Sequence, residues 1–277
     1  MANKKPKPQK EQRGPVAGVY RIDTGTVELV RDTLVADGWT IEVNGVPSSH
    51  IDMDDPMQLD FEYMRWISGL VRYHSFSRLR ALHLGGGACT LARSFAAEYP
   101  DARQVVVELD GTLAELAREW FDLPRAPLLR IRVGEARAVT ETLTEDSRDL
   151  VVRDVFAGTV TPGLLLTAEF TEHVRRVLAP GGVYVVNCGD TRDLSMAKRE
   201  AATIGSIFPH TVMIADPAML KGRRYGNVVI AGSDVSLGGD PGLARELLGG
   251  GVPAQVWDDE RVRAFARDAK VLRDADG

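Results

Sequence analysis

The chain has 277 residues, a formal net charge of −5, 44% hydrophobic residues and 26% charged residues. These values are typical of a folded protein with one large domain, or a main domain with a small appendage, and give no reason to expect a nucleic-acid surface. The sequence contains no apolar run near the roughly 20 residues that cross a bilayer and no signal-peptide pattern, so we expect a cytoplasmic protein that does not bind membranes.

The first part of the chain divides into a tail and a small β unit. Residues 1–14 combine Lys and Pro with low hydrophobicity, which predicts a disordered basic tail. Residues 15–56 contain the short alternating runs Val27–Val30 and Trp39–Val43. The dipeptide Asn44-Gly45 after the second run is a strong hairpin signal. We therefore expect a small antiparallel β unit over residues 15–56.

The middle of the chain, residues 57–240, alternates helical and strand patterns. Apolar residues spaced by three and four from Leu59 to Val71 predict an amphipathic helix. Apolar strands are expected at Ala81–Leu84, Gln104–Leu109, Leu129–Val133, Asp149–Val152, Val183–Asn187, His210–Ala215 and Asn227–Gly232. This order predicts an α/β fold with a doubly wound, mostly parallel sheet. Residues 241–277 are expected to form a C-terminal helical extension.

A run of three glycines follows the first apolar strand of this region. Gly85, Gly86 and Gly87 allow a sharp turn and a close ligand approach, and free N–H groups of the next helix face the same point. The dinucleotide fingerprint G-x-G-x-x-G is not satisfied, because the third position after Gly87 is Thr90. The pattern favours a nucleoside site and disfavours a nicotinamide dinucleotide.

The second strand carries acidic residues at its carboxyl end. Glu108 lies some twenty residues after the glycines, where a carboxylate can accept hydrogen bonds from both ribose hydroxyls. Asp110 can share that role or cap the helix that begins near Thr112, since Asp is a favoured N-cap. The sequence favours Glu108 for the ribose and Asp110 for the cap.

The turn after the third strand offers Glu135 and Ala136. A side-chain carboxylate and backbone groups at this place can contact an adenine edge. A glutamate of a surface loop is the alternative interpretation.

A further acidic residue, Asp154, comes just after the fourth strand. Ligands bind at this carboxyl edge in open α/β sheets, and a carboxylate there can accept a proton. The alternative is a loop Asp that caps a turn.

Metal and disulfide patterns are not visible in the sequence. The two cysteines, Cys89 and Cys188, are too few for a disulfide framework or a zinc site, so we expect two reduced structural thiols. The five histidines are scattered along the chain, and no metal is expected.

These motifs together resemble the spermidine synthase family, the polyamine aminopropyltransferases, from about Val16 to Gly232. The resemblance is carried by the β unit, the Phe61-Glu62-Tyr63 helix start, the triple glycine, Val107–Asp110, Gly134–Ala136, Asp154 and Leu178–Gly182. It implies a Rossmann-like fold of the class I methyltransferase type. It also implies transfer of an aminopropyl group from decarboxylated S-adenosylmethionine to a small-molecule amine such as putrescine, with release of methylthioadenosine.

The resemblance also implies roles for individual residues. Glu108 would hold the ribose, and Glu135 would stand where the family has an adenine-contacting Asp. Asp154 would be the base, and Tyr63 would line the amine channel. Family members are commonly dimers or tetramers, so a homodimer is expected by resemblance.

Three positions depart from the family pattern. The Asp that follows the triple glycine in the family, and grips the amine of the transferred group, is replaced by Ala88. The second acid, three positions after the catalytic one, is replaced by Ala157. Met64 follows the channel Tyr in place of a polar residue.

These departures leave two alternatives open. Loss of two acids reduces the selectivity for a doubly cationic donor, which would favour a methyltransferase that uses ordinary S-adenosylmethionine. A non-catalytic nucleoside-binding derivative is the other alternative. The basic segment 221–225 is either a solvated turn or a recognition element for an acidic or neutral substrate.

Overall fold

The computed structural model describes residues 14–249 and 251–276. The tail predicted over residues 1–14 therefore lies, except for Gly14, outside the described residues.

The N-terminal β unit is a separate antiparallel sheet with strand order β1-β2-β3-β4. Its strands are β1 Gly18–Ile22, β2 Gly25–Arg31, β3 Gly38–Val43 and β4 Val46–Asp52. The predicted hairpin turn joins β3 to β4, with Asn44 and Gly45 both at positive φ, 52° and 77°. Apolar side chains from one face of this sheet, such as Leu29 and Ile41, are buried in a core shared with Phe121.

The main sheet contains eight strands within the described residues, in the order β12-β10-β11-β9-β8-β5-β6-β7. The strands are β5 Arg80–Leu84, β6 Arg103–Glu108, β7 Leu129–Val133, β8 Arg148–Arg153, β9 Leu178–Asp190, β10 His210–Ala215, β11 Gly226–Ser233 and β12 Gln255–Trp257. Strands β5 to β9 pair in parallel, whereas β11, β10 and β12 continue the sheet by antiparallel pairing. The predicted Rossmann-like, doubly wound fold is confirmed.

Helices connect the parallel strands and cover the sheet. They are α1 Glu62–His74, α2 Thr90–Glu98, α3 Gly111–Trp120, α4 Ala136–Glu141, α5 Ala168–Val177, α6 Ser195–Ile207, α7 Pro217–Leu220, α8 Pro241–Gly249 and α9 Asp259–Ala266. Helix α1 packs against α2 and α8, while α4, α5, α6 and α9 form a second packed series. The described part of the chain contains no helix that is both long enough and apolar enough to cross a membrane.

The C-terminal segment differs from the sequence-based expectation. Helices α8 and α9 are present, but β12 lies between them and pairs with β10, with Met213 opposite Trp257. A strand of three residues is too short to show a periodicity of two, so the sequence pattern did not reveal it. Residues 241–277 are therefore not only a helical extension, because they complete the edge of the main sheet.

Strand β5 lies between β8 and β6, and the chain leaves it on one side toward β6 and returns on the other side at β8. Open α/β sheets bind ligands in the crevice at the carboxyl ends of strands where the winding direction changes. The glycine turn after β5, Glu108 at the end of β6 and Asp154 after β8 all lie at this edge.

Candidate active site

Gly85 is the first residue of the turn after β5. Its φ is +88°, and a Cβ at this position would lie only 2.0 Å from the backbone oxygen of Asp154. The Gly85 N–H donates to the Val107 carbonyl at 3.0 Å, which ties the turn to β6. The turn and the loop after β8 can approach this closely only because residue 85 has no side chain.

The next two glycines and Glu108 form one hydrogen-bonded unit. The N–H groups of Gly86 and Gly87 both donate to Oε2 of Glu108 at 2.9 Å. The other oxygen, Oε1, accepts from the Asp110 N–H at 3.0 Å. A Cβ at Gly86 would lie 2.8 Å from Val106 Cγ1 and 3.1 Å from Glu108 Oε2, so the loop closes around the carboxylate only with glycine there.

Apolar side chains are exposed beside this unit. Leu109, directly after Glu108, is 63% exposed, and Val133 at the end of β7 is 57% exposed. A carboxylate with exposed apolar neighbours suits a nucleoside, whose ribose offers hydroxyls and whose base offers an apolar face.

Asp110 has the capping role that the sequence favoured. Its Oδ1 accepts from the Leu113 N–H at 2.8 Å at the start of α3. Its Oδ2 accepts from both the N–H and the hydroxyl of Thr24, at 2.7 and 2.8 Å. The carboxylates of Asp110 and Glu108 both accept N–H groups on both oxygens, but Asp110 is only 2% exposed whereas Glu108 is partly exposed, so the structure leaves Asp110 no face open to a cofactor.

Glu135 is the N-cap of α4. Its carboxylate accepts from the N–H groups of Arg137 at 2.9 Å and Ala138 at 2.7 Å, while the residue itself is exposed. Ala136 is buried at the first position of the helix. The carboxylate is therefore already used by the helix, and an adenine contact by Glu135 stays a prediction.

Asp154 lies at the centre of a compact polar group. The Tyr63 hydroxyl donates to Oδ2 of Asp154 at 2.8 Å, and the Asn187 amide donates to Oδ1 at 2.9 Å. Tyr63 comes from the first turn of α1, and Asn187 from the carboxyl half of β9. Asp154 therefore does not cap a turn with its side chain, because both carboxylate oxygens face residues from distant parts of the chain.

The surroundings of Asp154 favour a proton acceptor. Burial raises its pKa above the ordinary value, although hydrogen bonds from Asn187 and Tyr63 and the charge of Arg153 act in the opposite direction. Burial, and then the neighbouring Asp154, raises the pKa of Tyr63 well above its ordinary value, so the phenol remains a hydrogen-bond donor. A carboxylate with a raised pKa is a stronger base than an exposed one.

Asn187 was not identified from the sequence. It is 2% exposed, and its Oδ1 has no hydrogen-bond partner in the structure while its amide donates to Asp154. The available signal was a single amide in the otherwise apolar run from Val183 to Cys188, at the carboxyl end of a predicted strand. A buried acceptor without a partner beside Asp154 can receive an N–H group of a ligand.

A buried ion pair lies behind this site. Arg153 precedes Asp154 in the chain and pairs with Glu200 of α6, and both side chains are almost completely buried. Burial lowers the pKa of an arginine, but the nearby Glu200 more than offsets this and raises it. The pair ties the carboxyl end of β8 to α6.

Metal ligands and disulfides do not contribute to the described site. Residues 14–249 and 251–276 contain no group of three or more His, Cys, Asp or Glu side chains placed to hold a metal ion. Cys89 and Cys188 are free and buried, and burial raises the pKa of both thiols.

Comparison with known proteins identifies the family. No protein-family model matches the chain. The crystal structure of a probable spermidine synthase from Corynebacterium glutamicum has 53% sequence identity and a TM-score of 0.90, covering 94% of this chain and 97% of that one. This chain belongs to the spermidine synthase family.

Curated polyamine aminopropyltransferases match a shorter region. The protein of Vibrio vulnificus is 29% identical over 162 residues, which covers 57% of this chain and 53% of the relative. The protein of Chromobacterium violaceum is 31% identical over 153 residues, which covers 54% and 58%. The chain thus spans about half the length of the curated relatives that it matches.

The three positions that depart from the spermidine synthase pattern lie in different surroundings in the structure. Ala88 is 1% exposed, and its N–H donates to the Ser49 hydroxyl at 3.2 Å, so the N-terminal sheet covers this position. Met64 is buried in the main core. Ala157 is exposed in the loop after Asp154 and pairs with Val160 through their backbones.

Proposed function

We propose that this protein is an aminopropyltransferase that moves a three-carbon amine from decarboxylated S-adenosylmethionine to a small-molecule amine such as putrescine. The single observation that carries the proposal is the Asp154 carboxylate, held by Tyr63 and Asn187 beside the glycine turn. Membership of the spermidine synthase family supports the reaction type.

The donor nucleoside would bind at the glycine turn. Glu108 would accept hydrogen bonds from the ribose hydroxyls, with Gly85, Gly86 and Gly87 forming the wall of the site. The exposed side chains of Leu109 and Val133 would cover the base. Asp110 would act indirectly, because it fixes the start of α3 beside Glu108.

The acceptor must lose a proton before its nitrogen can attack. An alkylamine with a pKa of about 10.4 is mostly protonated at pH 7, and the neutral form costs roughly 4 to 5 kcal/mol. Asp154 takes this proton, while the nitrogen lone pair forms the new C–N bond and the C–S bond breaks with its electron pair on sulfur. The products are an alkylated ammonium ion, which keeps its remaining N–H protons, and neutral methylthioadenosine, and Asp154 then releases the proton that it accepted to solvent.

Tyr63 and Asn187 hold the base in position. Each donates one hydrogen bond to a different oxygen of Asp154, which fixes the plane of the carboxylate. The free Oδ1 of Asn187 can accept an N–H of the incoming amine and orient its lone pair. These contacts support a role for the two residues in positioning, with Asp154 as the base.

A turnover assay with mass-spectrometric detection tests the proposal. Decarboxylated and ordinary S-adenosylmethionine are offered separately, with putrescine and spermidine as acceptors. An acceptor that gains an aminopropyl group, together with methylthioadenosine, supports the proposal. A methyl gain from the carboxylated donor supports the methyltransferase alternative, and methylthioadenosine binding without turnover of either donor supports a binding role. The homodimer and the cytoplasmic location stay predictions, the first of which light scattering would test.

A further inference from the structure

A second carboxylate lies next to Tyr63. Glu62 is the first residue of α1, and its side chain is 20% exposed. After burial and Asp154, the charge of Glu62 also contributes to the raised pKa of the Tyr63 hydroxyl. Glu62 therefore lies beside Tyr63, the hydrogen-bond partner of Asp154.

The residues beneath Glu62 and those beneath Asp154 lie on the same face of the main sheet. Asn227 of β11 donates its amide to Glu62 Oε1 at 3.4 Å, and it pairs across the sheet with Gly189 of β9. Asn187 and Gly189 lie on the same face of β9, because side chains alternate along a strand. A Cβ at Gly189 would lie 3.4 Å from the Phe156 ring, so the loop after Asp154 reaches this point.

The strand that precedes Asp154 and the strand beneath Glu62 are separated by two strand spacings. Asp154 follows β8, Glu62 lies over β11, and β9 runs between them. Two strand spacings amount to about 10 Å. A separation of this order is on the scale of a short aliphatic chain with a nitrogen at each end.

Arg224 is the cation that faces Glu62. Its Nη2 lies 3.8 Å from Glu62 Oε1, whereas its Nη1 donates to Asp216 Oδ2 at 2.8 Å. The arginine side chain is 42% exposed, and such a long, exposed ion pair contributes little free energy. Within the described residues, no other Lys, Arg or His nitrogen lies within 4.0 Å of Glu62. A ligand cation can thus compete for this carboxylate while Arg224 stays bound to Asp216.

We propose that Glu62 determines acceptor specificity by binding a second cationic group of the acceptor, and that Arg224 competes with that group. The inference rests on the proposed function and assigns the acceptor-side acid to α1. It also gives the basic segment 221–225 a role, because Arg224 weakens the binding of doubly charged acceptors. The expected acceptor class is an aliphatic amine with a second ammonium group a short chain away.

A kinetic comparison of two matched acceptors tests this assignment. Putrescine and butylamine share a four-carbon chain, but only putrescine has the second ammonium. In Glu62→Gln, KM for putrescine should rise tenfold or more, with a much smaller change for butylamine. In Arg224→Gln, KM for putrescine should fall, and this gain should disappear in the double variant. Glu172→Gln, an exposed acid on α5, is the control for loss of one negative charge.

Glu62 also lies in the first turn of a helix, where an acid stabilises the helix dipole. A purely structural role would lower the thermal midpoint of Glu62→Gln and change both acceptors alike. An unchanged ratio of the two KM values, or a KM for putrescine that rises in Arg224→Gln, would overturn the assignment.

Calorimetry separates this inference from the proposed reaction. Binding of putrescine and of butylamine is measured with and without methylthioadenosine, so no turnover is needed. Selective loss of putrescine binding in Glu62→Gln supports the assignment even if no amine is alkylated, in which case only the proposed reaction fails. Turnover of putrescine with equal binding to wild type and Glu62→Gln overturns the assignment alone. Absence of putrescine binding to the wild type overturns both the assignment and putrescine as the acceptor.

Discussion

Two aspartates at the same edge of the main sheet have opposite properties. Asp110 follows β6 and Asp154 follows β8, and each accepts hydrogen bonds on both carboxylate oxygens. Burial raises the pKa of Asp110, but the hydrogen bonds from Leu113 and Thr24 outweigh it and the net shift is downward. At Asp154 burial prevails over two side-chain donors, and the pKa is raised.

The opposite pKa shifts of Asp110 and Asp154 result from their different hydrogen-bond donors. Asp110 accepts three hydrogen bonds, two of them from backbone N–H groups, which stabilise the ionised form and cannot be removed from it without loss of local structure. Asp154 accepts only two hydrogen bonds, one from a phenol O–H and one from a side-chain amide, in a partly buried site, so its ionised form is less favoured. The first carboxylate therefore stabilises the fold, and the second is suited to accept a proton.

The largest expected effect is on catalysis in Asp154→Asn. An amide cannot accept the proton of the acceptor, so kcat should fall by roughly 10²- to 10⁴-fold. The rate of methylthioadenosine release at saturating substrates measures it, and Asp101→Asn, at an exposed position, is the control for the change of side chain. A rate within threefold of the wild type would refute Asp154 as the base.

Gly85→Ala tests whether the turn after β5 must contact the loop after β8. The new Cβ would lie 2.0 Å from the Asp154 carbonyl oxygen at a positive φ, so we expect a loss of about 2–4 kcal/mol in the free energy of unfolding, together with lower kcat. Gly181→Ala is the matched control, because it also has positive φ, +75°, but nothing lies within 4 Å of the added Cβ. Equal losses in urea unfolding of both variants would show that the close contact is unimportant.

Asp110→Ala should act on stability. Loss of the cap and of the Thr24 contacts should cost about 2 kcal/mol at pH 7. Because the folded-state pKa of Asp110 is lowered, this contribution is present above the unfolded-state value of about 3.9 and is lost as the pH falls through the folded-state pKa. Unfolding curves of the wild type and the variant should therefore converge below about pH 4, and a constant difference down to pH 2 would contradict the linkage.

The smallest effect is expected in Tyr63→Phe. Removal of one hydrogen bond of about 1 kcal/mol should lower kcat by roughly fivefold. The Tyr63 donor lowers the pKa of Asp154, so its loss should move the acid limb of the pH–rate profile to higher pH. Tyr73→Phe, at the far end of α1, controls for loss of a hydroxyl from this helix. An acid limb that stays in place would show that the hydroxyl does not act on the base.

Parts of the site were predictable because they are local in the chain. Strand, glycine turn and helix follow one another within ten residues around Gly85, and Asp110 stands directly before the helix that it caps. The pairing of Asp154 with Tyr63 and Asn187 is not local, since the partners lie 91 and 33 residues away. Only the family resemblance predicted Tyr63 as a site residue, and no sequence pattern predicted Asn187.

Asp110 and Glu135, two acidic residues predicted to bind the cofactor, show the same limit of sequence-based prediction. Sequence position puts Asp110 and Glu135 at the carboxyl edge of the sheet, as the structure does. Whether a carboxylate there faces a ligand or the first turn of its own helix depends on side-chain direction. In the structure both carboxylates accept N–H groups of the helix that follows them.

The sequence by itself determined the α/β order, the glycine turn, the positions of Glu108 and Asp154 at the binding edge and the family resemblance, because apolar periodicity and turn residues act over short distances. The tertiary structure decided which carboxylates can contact a ligand and which are used to cap helices. It placed β12 in the sheet, buried Ala88 under the N-terminal sheet and brought Tyr63 and Asn187 to Asp154. The physical reason is that burial and hydrogen-bond partners, which set the reactivity of a carboxylate, come from segments far apart in the chain.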